Sequence, residues 1–234
     1  MANFISVKNE SKVFINGDSH IHANDKVSFE VNKGELTVIL GNSGAGKTTL
    51  LDILGGMDTL SSGSVVVDGN HLEKYSRKQL TTYRRHDIGF VFQFYNLIQN
   101  LTTIENVQLA SDIANHPLDP QKTLDQVGLG KMSNHFPAQL SGGEQQRAAI
   151  VRAIAKNPAL LLADEPTGAL DTNTGKRILQ LFTDFQAHSG KNVIIVTHNS
   201  ELKKIANHVI VIRDGKVESD KRNQKPIAVK SLHW

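Results

Sequence analysis

The chain of 234 residues contains no cysteine, which excludes disulfides, thiol catalysis and zinc sites built on sulfur ligands. A reducing compartment is compatible with that absence. No run approaches the ~18 apolar residues that a membrane-spanning helix needs. The start Met1-Ala2-Asn3-Phe4 also lacks the basic-then-apolar layout of a signal peptide. The expectation is a chain that is soluble by itself and intracellular. Net charge is small as well: 26 basic and 23 acidic residues leave a formal +3, interspersed through most of the sequence, and this does not argue for nucleic acid. The ten His residues show no tight metal-ligand spacing. Low-complexity segments and repeats of about 20–50 residues are missing too. Only the stretch 216–234 is locally basic, with Lys216, Lys221, Arg222, Lys225 and Lys230. It reads as a solvated, partly disordered tail, with attraction to anionic lipid or an acidic partner as the alternative.

One segment dominates what is present. Gly41-Asn42-Ser43-Gly44-Ala45-Gly46-Lys47-Thr48 fits G-x-x-x-x-G-K-[ST], a loop whose backbone N–H groups wrap nucleotide phosphates. An ordinary Gly-rich turn would satisfy the spacing too, so the flanks decide. Leu36-Thr37-Val38-Ile39-Leu40 reads as a short buried strand, and Thr48-Thr49-Leu50-Leu51-Asp52-Ile53-Leu54 as a helix that starts inside the motif. That is the context the loop requires, and it predicts binding of ATP or GTP.

The length suits one large domain, or a core with a small subdomain. Strand-like segments lie at 4–7, 27–31, 36–40, 63–67, 88–92, 160–163, 193–197 and 208–213, with Asp214-Gly215 marking a turn after the last. The runs at 160–163 and 193–196 are continuously apolar, as in parallel strands covered on both faces, whereas the N-terminal strands alternate and suit an antiparallel edge. The predicted class is α/β with a mainly parallel sheet, an N-terminal antiparallel part and a helical insertion. Boundaries follow as 1–92 with 140–217 for the core, 93–139 for the helical subdomain and 218–234 for the tail.

Two further clusters carry chemistry. Leu160-Leu161-Leu162-Ala163-Asp164-Glu165 is an apolar strand ending in two carboxylates. Ligands in such sheets sit outside the carboxyl ends of the strands, so Asp164 suits Mg2+ and Glu165 suits a base that polarises a water. Without the phosphate loop, a solvated acidic turn would explain them equally well. Leu140-Ser141-Gly142-Gly143-Glu144 precedes an apolar-periodic helix, and Ser141 with Glu144 fits an S-x-x-E capping box. Its glycines also bare a helix N-terminus that attracts phosphate.

Taken with Gly168-Ala169-Leu170-Asp171, Gln93 and His198, these motifs stand in the order of the ATP-binding cassette (ABC) ATPases, which the chain resembles to about Val217. The resemblance implies a P-loop NTPase fold, ATP and Mg2+ as cofactors, and nucleotide contacts from Gly41 through Thr49. It implies that Lys47 bridges the β- and γ-phosphates and that Thr48, Gln93 and Asp164 serve the metal. Glu165 would be the base, Gln93 a sensor of metal and water, and His198 the switch residue at the γ-phosphate. Phe14 lies where the family stacks an aromatic ring on adenine, a core Phe being the other reading. Ser141, Gly142, Gly143 and Asp171 would meet the nucleotide from a second copy of the chain across a head-to-tail dimer. Glu144 departs from the Gln that is common there.

The resemblance extends to the branch that includes lipoprotein-release, macrolide-efflux, cell-division and antimicrobial-peptide-resistance ATPases (MacB/LolD-like). It implies an integral membrane permease subunit as partner, a place on the inner face of the membrane and no nucleic acid. Phe94, Tyr95 and Leu97 are the expected docking groove for that partner. A soluble ABC ATPase acting on DNA or ribosomes is the alternative, disfavoured by the single cassette and the missing insertions. A non-catalytic nucleotide-binding module is disfavoured by Glu165 and His198.

Overall fold

The computed structural model describes residues 3–168 and 170–232; Ala169, within the Gly168–Asp171 motif, lies outside them. Two sheets organise the chain. The strands β1 (Asn3–Asn16), β2 (Ser19–Asn32), β4 (Ser62–Val67) and β5 (Asn70–His71) form an antiparallel sheet in the order β2-β1-β4-β5. The larger sheet has the order β10-β9-β3-β8-β7-β6. Its members are β3 (Leu36–Leu40), β6 (Ile88–Val91), β7 (Leu160–Asp164), β8 (Asn192–Thr197), β9 (His208–Arg213) and β10 (Lys216–Arg222). All its pairings are parallel except β9 with β10.

The continuous apolar runs follow from having both faces covered. Along β7, Leu160 and Leu162 pack into the cluster between the two sheets, around α1 (Lys47–Leu54). Leu161 and Ala163 face the opposite cluster, with Phe182 of α6 (Thr172–Ser189). Strand β8 divides its residues in the same way, Ile194 and Val196 to one side and Val193 and Ile195 to the other. Each buried aliphatic side chain of this kind contributes about 1.5–3 kcal/mol relative to exposure. The central strands are thus the rigid floor on which the loops at their carboxyl ends stand.

Between β6 and β7 lie α3 (Thr103–Ser111), α4 (Pro120–Gln126) and α5 (Gly142–Ala155), joined by turns and short 3₁₀ segments. Thr102 with Glu105 and Ser141 with Glu144 form capping boxes that start α3 and α5. Helix α5 has two buried sides. Ala148, Ala149 and Val151 join Val107 and Leu124 in the helical layer, while Ile150, Ala153 and Ile154 join the sheet.

The structure departs from the sequence reading in four places. The N-terminal strands are an independent sheet rather than the edge of the main one, and they extend far past 4–7 and 27–31. Their outer ends pair without a buried apolar face, around the turn at Gly17. Next, β6 stops at Val91, one residue short. A helix, α2 (Arg77–His86), buries only Leu80 and Tyr83, too thin a stripe for periodicity to reveal.

The fourth departure is the C-terminal stretch, which is not a disordered tail over its described residues. Strand β10 turns back onto β9 through Asp214 and Gly215, both at positive φ and so suited to a tight hairpin. His208 Nε2 meets Asp220 Oδ1 at 2.5 Å, and Arg222 pairs with Glu35. Beyond the strand, Val229 and Leu232 are buried beside α6. The charged residues of β10 lie on an edge strand, so their solvation and their ordering are compatible. Residues 233 and 234 lie outside the described residues.

Candidate active site

The glycine loop runs from the end of β3 into α1 and packs against backbone on two sides. A Cβ on Gly41 would lie 2.4 Å from the Ile212 carbonyl oxygen, and one on Gly46 2.2 Å from that of Ala23. Gly46 also caps α1 at φ 94°, a left-handed value that favours glycine. No side chain caps this helix, so its first N–H groups face the cleft, where the helix dipole favours an anion. Lys47 is buried, and its Nζ donates to the Asn42 carbonyl at 2.9 Å. The ammonium thus folds over the loop that would receive the phosphates.

Strands β7 and β8 deliver the acidic and basic groups to the same place. Thr48 Oγ1 donates to Asp164 Oδ2 at 2.9 Å, joining the loop to the end of β7. Burial pushes the Asp164 carboxyl above its usual range, opposed by the Thr48 hydrogen bond and assisted by the neighbouring Glu165. Asp52, one turn along α1, is pushed up to about 6 by burial and by the charges of Asp164 and Asp58. Carboxyl groups so crowded favour a cation among them.

Glu165 has φ 44°, which costs a residue with a Cβ about 1–2 kcal/mol. That conformation aims its carboxylate across to β8. Thr197 Oγ1 donates to Oε2 at 2.9 Å, the His198 backbone N–H donates to Oε1 at 2.9 Å, and His198 Nδ1 lies 2.8 Å from Oε1. Three contacts therefore fix the carboxylate while leaving it partly open, with its side chain 13% exposed. A group held in this way can orient a water and accept its proton.

A cleft of 820 Å³ gathers Phe14, Ser43, Gly44, Gly46, Lys47, Thr48, Thr49, Gln93, Asp164, Glu165 and His198. Gly41, Asn42 and Ala45 lie in the same loop without lining it. Phe14 is 43% exposed, so it is not a core residue, and the Lys12 ammonium sits 4.9 Å from its ring centroid. At the N-terminus of α5, Ser141 Oγ lies 2.8 Å from Glu144 Oε2, and the Ser141 N–H donates to the same oxygen at 2.8 Å. There Gly142 lies against the Tyr95 hydroxyl and Gly143 against Thr174. Asp171 caps α6 by accepting from the N–H groups of Asn173 and Thr174 at 3.0 and 3.1 Å, and the Thr174 side-chain hydrogen bond together with these backbone bonds holds its carboxyl below the usual range. Ser141, Gly142, Gly143 and Asp171 do not line the cleft.

The ABC transporter family model matches residues 24–168, from β2 to just past Glu165. The chain belongs to the ABC transporter family. It is the ATP-binding, ATP-hydrolysing cassette of that family. An uncharacterized ABC transporter ATP-binding protein of Thermotoga maritima is 44% identical to it, covering 90% of this chain and 92% of that protein. The macrolide export ATP-binding/permease protein MacB of Bradyrhizobium diazoefficiens is 41% identical over 92% of this chain, which spans only 34% of that longer protein. Among solved structures, the cassette MJ0796 of Methanocaldococcus jannaschii, a dimer in a post-hydrolysis state with ADP and Pi, has a TM-score of 0.86 and 38% identity. That match covers 93% of this chain and 98% of that one.

Two features of the cassette contradict or escape the sequence reading. Phe94, which is 77% exposed, and Tyr95 line the nucleotide cleft, while Leu97 is buried in the helical layer and so is not open to a partner. The chain reverses at Asn96, at φ 49°, and turns its aromatic residues towards the phosphate loop. Thr197, Asp52 and Ala23 belong to the site's surroundings without a motif to announce them. The hydroxyl at the last position of β8 is the one signal that points to Thr197.

Proposed function

We propose that the cassette is the motor subunit of a transporter and works as a head-to-tail pair, each ATP lying between the loop at 41–48 of one copy and Ser141–Gly143 of the other. The observation that carries this is the separation described above. One copy supplies the loop, the carboxylates and His198 in one cleft, while a second anion-seeking helix end, with Asp171 nearby, does not line that cleft. Phe14 would stack on adenine, since a half-exposed ring at the mouth of the cleft offers a π face.

Mg2+ fits the oxygen donors that are present. No group of three His, Cys, Asp or Glu among the described residues could hold a metal by itself, which suits an ion held by one or two side chains together with substrate phosphates. Thr48, Asp164 and Gln93 would hold it, and it supplies charge neutralisation on the phosphoryl oxygens. The chain's own groups do the rest: Lys47 and the α1 amides bind and orient phosphate, Glu165 takes the proton of the water, and His198 and Thr197 keep that carboxylate in place.

Ser141→Arg tests the composite site. Losing the cap costs about 1 kcal/mol, small beside a total stability of roughly 5–15 kcal/mol, so the variant folds. It is expected to bind ATP within about twofold of wild type, because the cleft of its own copy is untouched, yet to lose ATP-dependent dimerisation and most turnover. Normal dimers by sedimentation with Mg-ATP would count against the arrangement.

No described helix is long and apolar enough to cross a membrane, so the pore or piston belongs to another segment or chain. A groove of 380 Å³ beside β6 is lined by Met57, Phe92, Ile98 and Ile113 with Arg84 and Arg152. Of its apolar residues, Met57, Ile98 and Ile113 are 49%, 44% and 45% exposed. This is where a cytoplasmic helix of a membrane permease would seat, on the inner face of the membrane. Met57→Glu with Ile113→Glu is expected to leave basal ATP hydrolysis within about twofold, surface changes being small in stability, while abolishing co-purification with the permease encoded beside the gene. Retained co-purification would move the docking site elsewhere. The branch, with export or handling of lipoproteins or peptides, rests on the likeness to MacB. A role on nucleic acid or ribosomes is not favoured.

A further inference from the structure

Behind the phosphate loop lies a carboxyl group that the chemistry above does not use. Glu10 sits in an irregular stretch of β1, where pairing with β2 shifts register on both sides of it, and it is fully buried. Its Oε2 accepts a hydrogen bond from Asn24 Nδ2 at 2.9 Å. Asn24 is fully buried as well, and its Oδ1 would lie only 2.4 Å from a Cβ on Gly46. The preceding residue, Ala23, lines the nucleotide cleft. Glu10 Oε1 and Asn24 Oδ1 have no hydrogen-bond partner among the described residues.

A buried carboxylate with an orphan oxygen is costly, and protonation relieves the cost. Burial pushes the Glu10 carboxyl up to about 7, against the pull of the Asn24 hydrogen bond and the Lys12 charge. Both protonation states are therefore populated near neutrality. The surrounding charges are otherwise engaged. Lys12 on the same strand donates to Asp58 Oδ1 and the Thr59 carbonyl at 2.7 Å each. On β2, Asp25 pairs with Lys216 of β10 at 3.1 Å, and Lys26 follows it. At the head of α1, Lys47 is turned to Asn42.

We propose that Glu10 and Asn24 are a positioning pair that seats the phosphate loop on the β1–β2 hairpin, and that the proton on Glu10 tunes how tightly the loop holds a nucleoside triphosphate. The inference rests on the nucleotide reading of the cleft. When Glu10 is ionised, a negative charge stands behind Gly46 while the phosphates stand in front of it. When Glu10 is protonated, that charge is gone. Anion binding therefore favours the protonated form. By reciprocity the complex takes up a proton, and affinity falls as pH rises through neutrality. Lys12 lies between this pair and the Phe14 ring, so the same charge change reaches the adenine end of the cleft.

Calorimetric titration with Mg-ATP, in buffers of differing ionisation heat, measures the proton uptake directly. Glu10→Gln keeps the shape and removes the charge. Between about pH 6 and about pH 8.5, wild type is expected to lose about threefold to tenfold more ATP affinity than Glu10→Gln, with excess proton uptake near pH 7. Titration of Asp52 and of the nucleotide itself is common to both proteins and cancels in the comparison. Identical pH profiles overturn the proposal. Should Glu10→Gln fail to fold, a carboxyl-carbon NMR titration of wild type decides instead. A Glu10 signal that titrates near neutrality and moves upward with ATP supports the pair, and one that titrates in the ordinary range or ignores ATP overturns it. A wild type that binds no ATP at any pH, indistinguishable from Lys47→Ala, is a different failure, that of the nucleotide reading itself.

Discussion

Glu165→Gln is expected to bind Mg-ATP and hold two copies together while hydrolysing it about 10²–10⁴-fold more slowly, the usual contribution of a positioned base. The geometry explains why binding survives. Oε1 carries both His198 contacts and Oε2 accepts from Thr197. An amide can keep its oxygen at the His198 side and turn its nitrogen to Thr197, whose hydroxyl accepts as readily as it donates. Nothing else has to move, and the strained φ of the residue is unchanged. What disappears is the ability to take a proton from water. Phosphate release measures the loss, and sedimentation with Mg-ATP measures the trapped dimer. Turnover near wild type would place the base elsewhere.

The second large effect is expected at Lys47→Ala: a loss of ATP affinity of about 100-fold or more, by analogy with charge-assisted hydrogen bonds of about 1.5–3 kcal/mol each. Lys47 is the one basic residue in the loop, and its ammonium already lies over the loop, bonded to Asn42. No other side chain there can replace it. Equilibrium binding of a fluorescent ATP analogue, with thermal melting to show that the variant folds, checks the expectation. Undiminished affinity in a folded variant would remove the phosphates from the loop.

These effects fall where residues were legible in the sequence, because the groups concerned are placed by local rules. A glycine loop between a buried strand and a helix, two carboxylates ending an apolar strand, and Ser141 with Glu144 three residues on are all set by spacing within a few residues. The structure finds each in the expected element. What escapes depends on which way the chain turns afterwards. Phe94, Tyr95 and Leu97 look alike as an apolar run, yet Phe94 and Tyr95 line the cleft, with Tyr95 also packing on the helical layer where Leu97 is buried. Strand β10 carries too few apolar residues to register as a strand. Its order comes from the hairpin at Asp214-Gly215, from partners on β2 and β9, and from Glu35 just before β3. A lone Glu10 in a polar strand reads as surface, because its burial is created by strands and loops far away in sequence.

Helix α5 ties the two ends of the molecule together mechanically. Its 14 residues make a rod of about 21 Å. Near its carboxyl end Arg152 borders the groove proposed for the permease and donates to the carbonyls of Asn96 and Tyr95 at 2.6 and 3.2 Å. At its start stands Ser141. Between them the buried Gln146 donates to the Pro166 carbonyl at 3.0 Å, one residue past Glu165, giving the rod a pivot beside that carboxylate. A tilt of about 5° about that pivot moves Ser141, roughly 7.5 Å away along the axis, by about 0.7 Å. On the proposed arrangement, pushing at the groove and loosening the neighbouring copy's nucleotide would be two readings of one small angle, carried by a single helix.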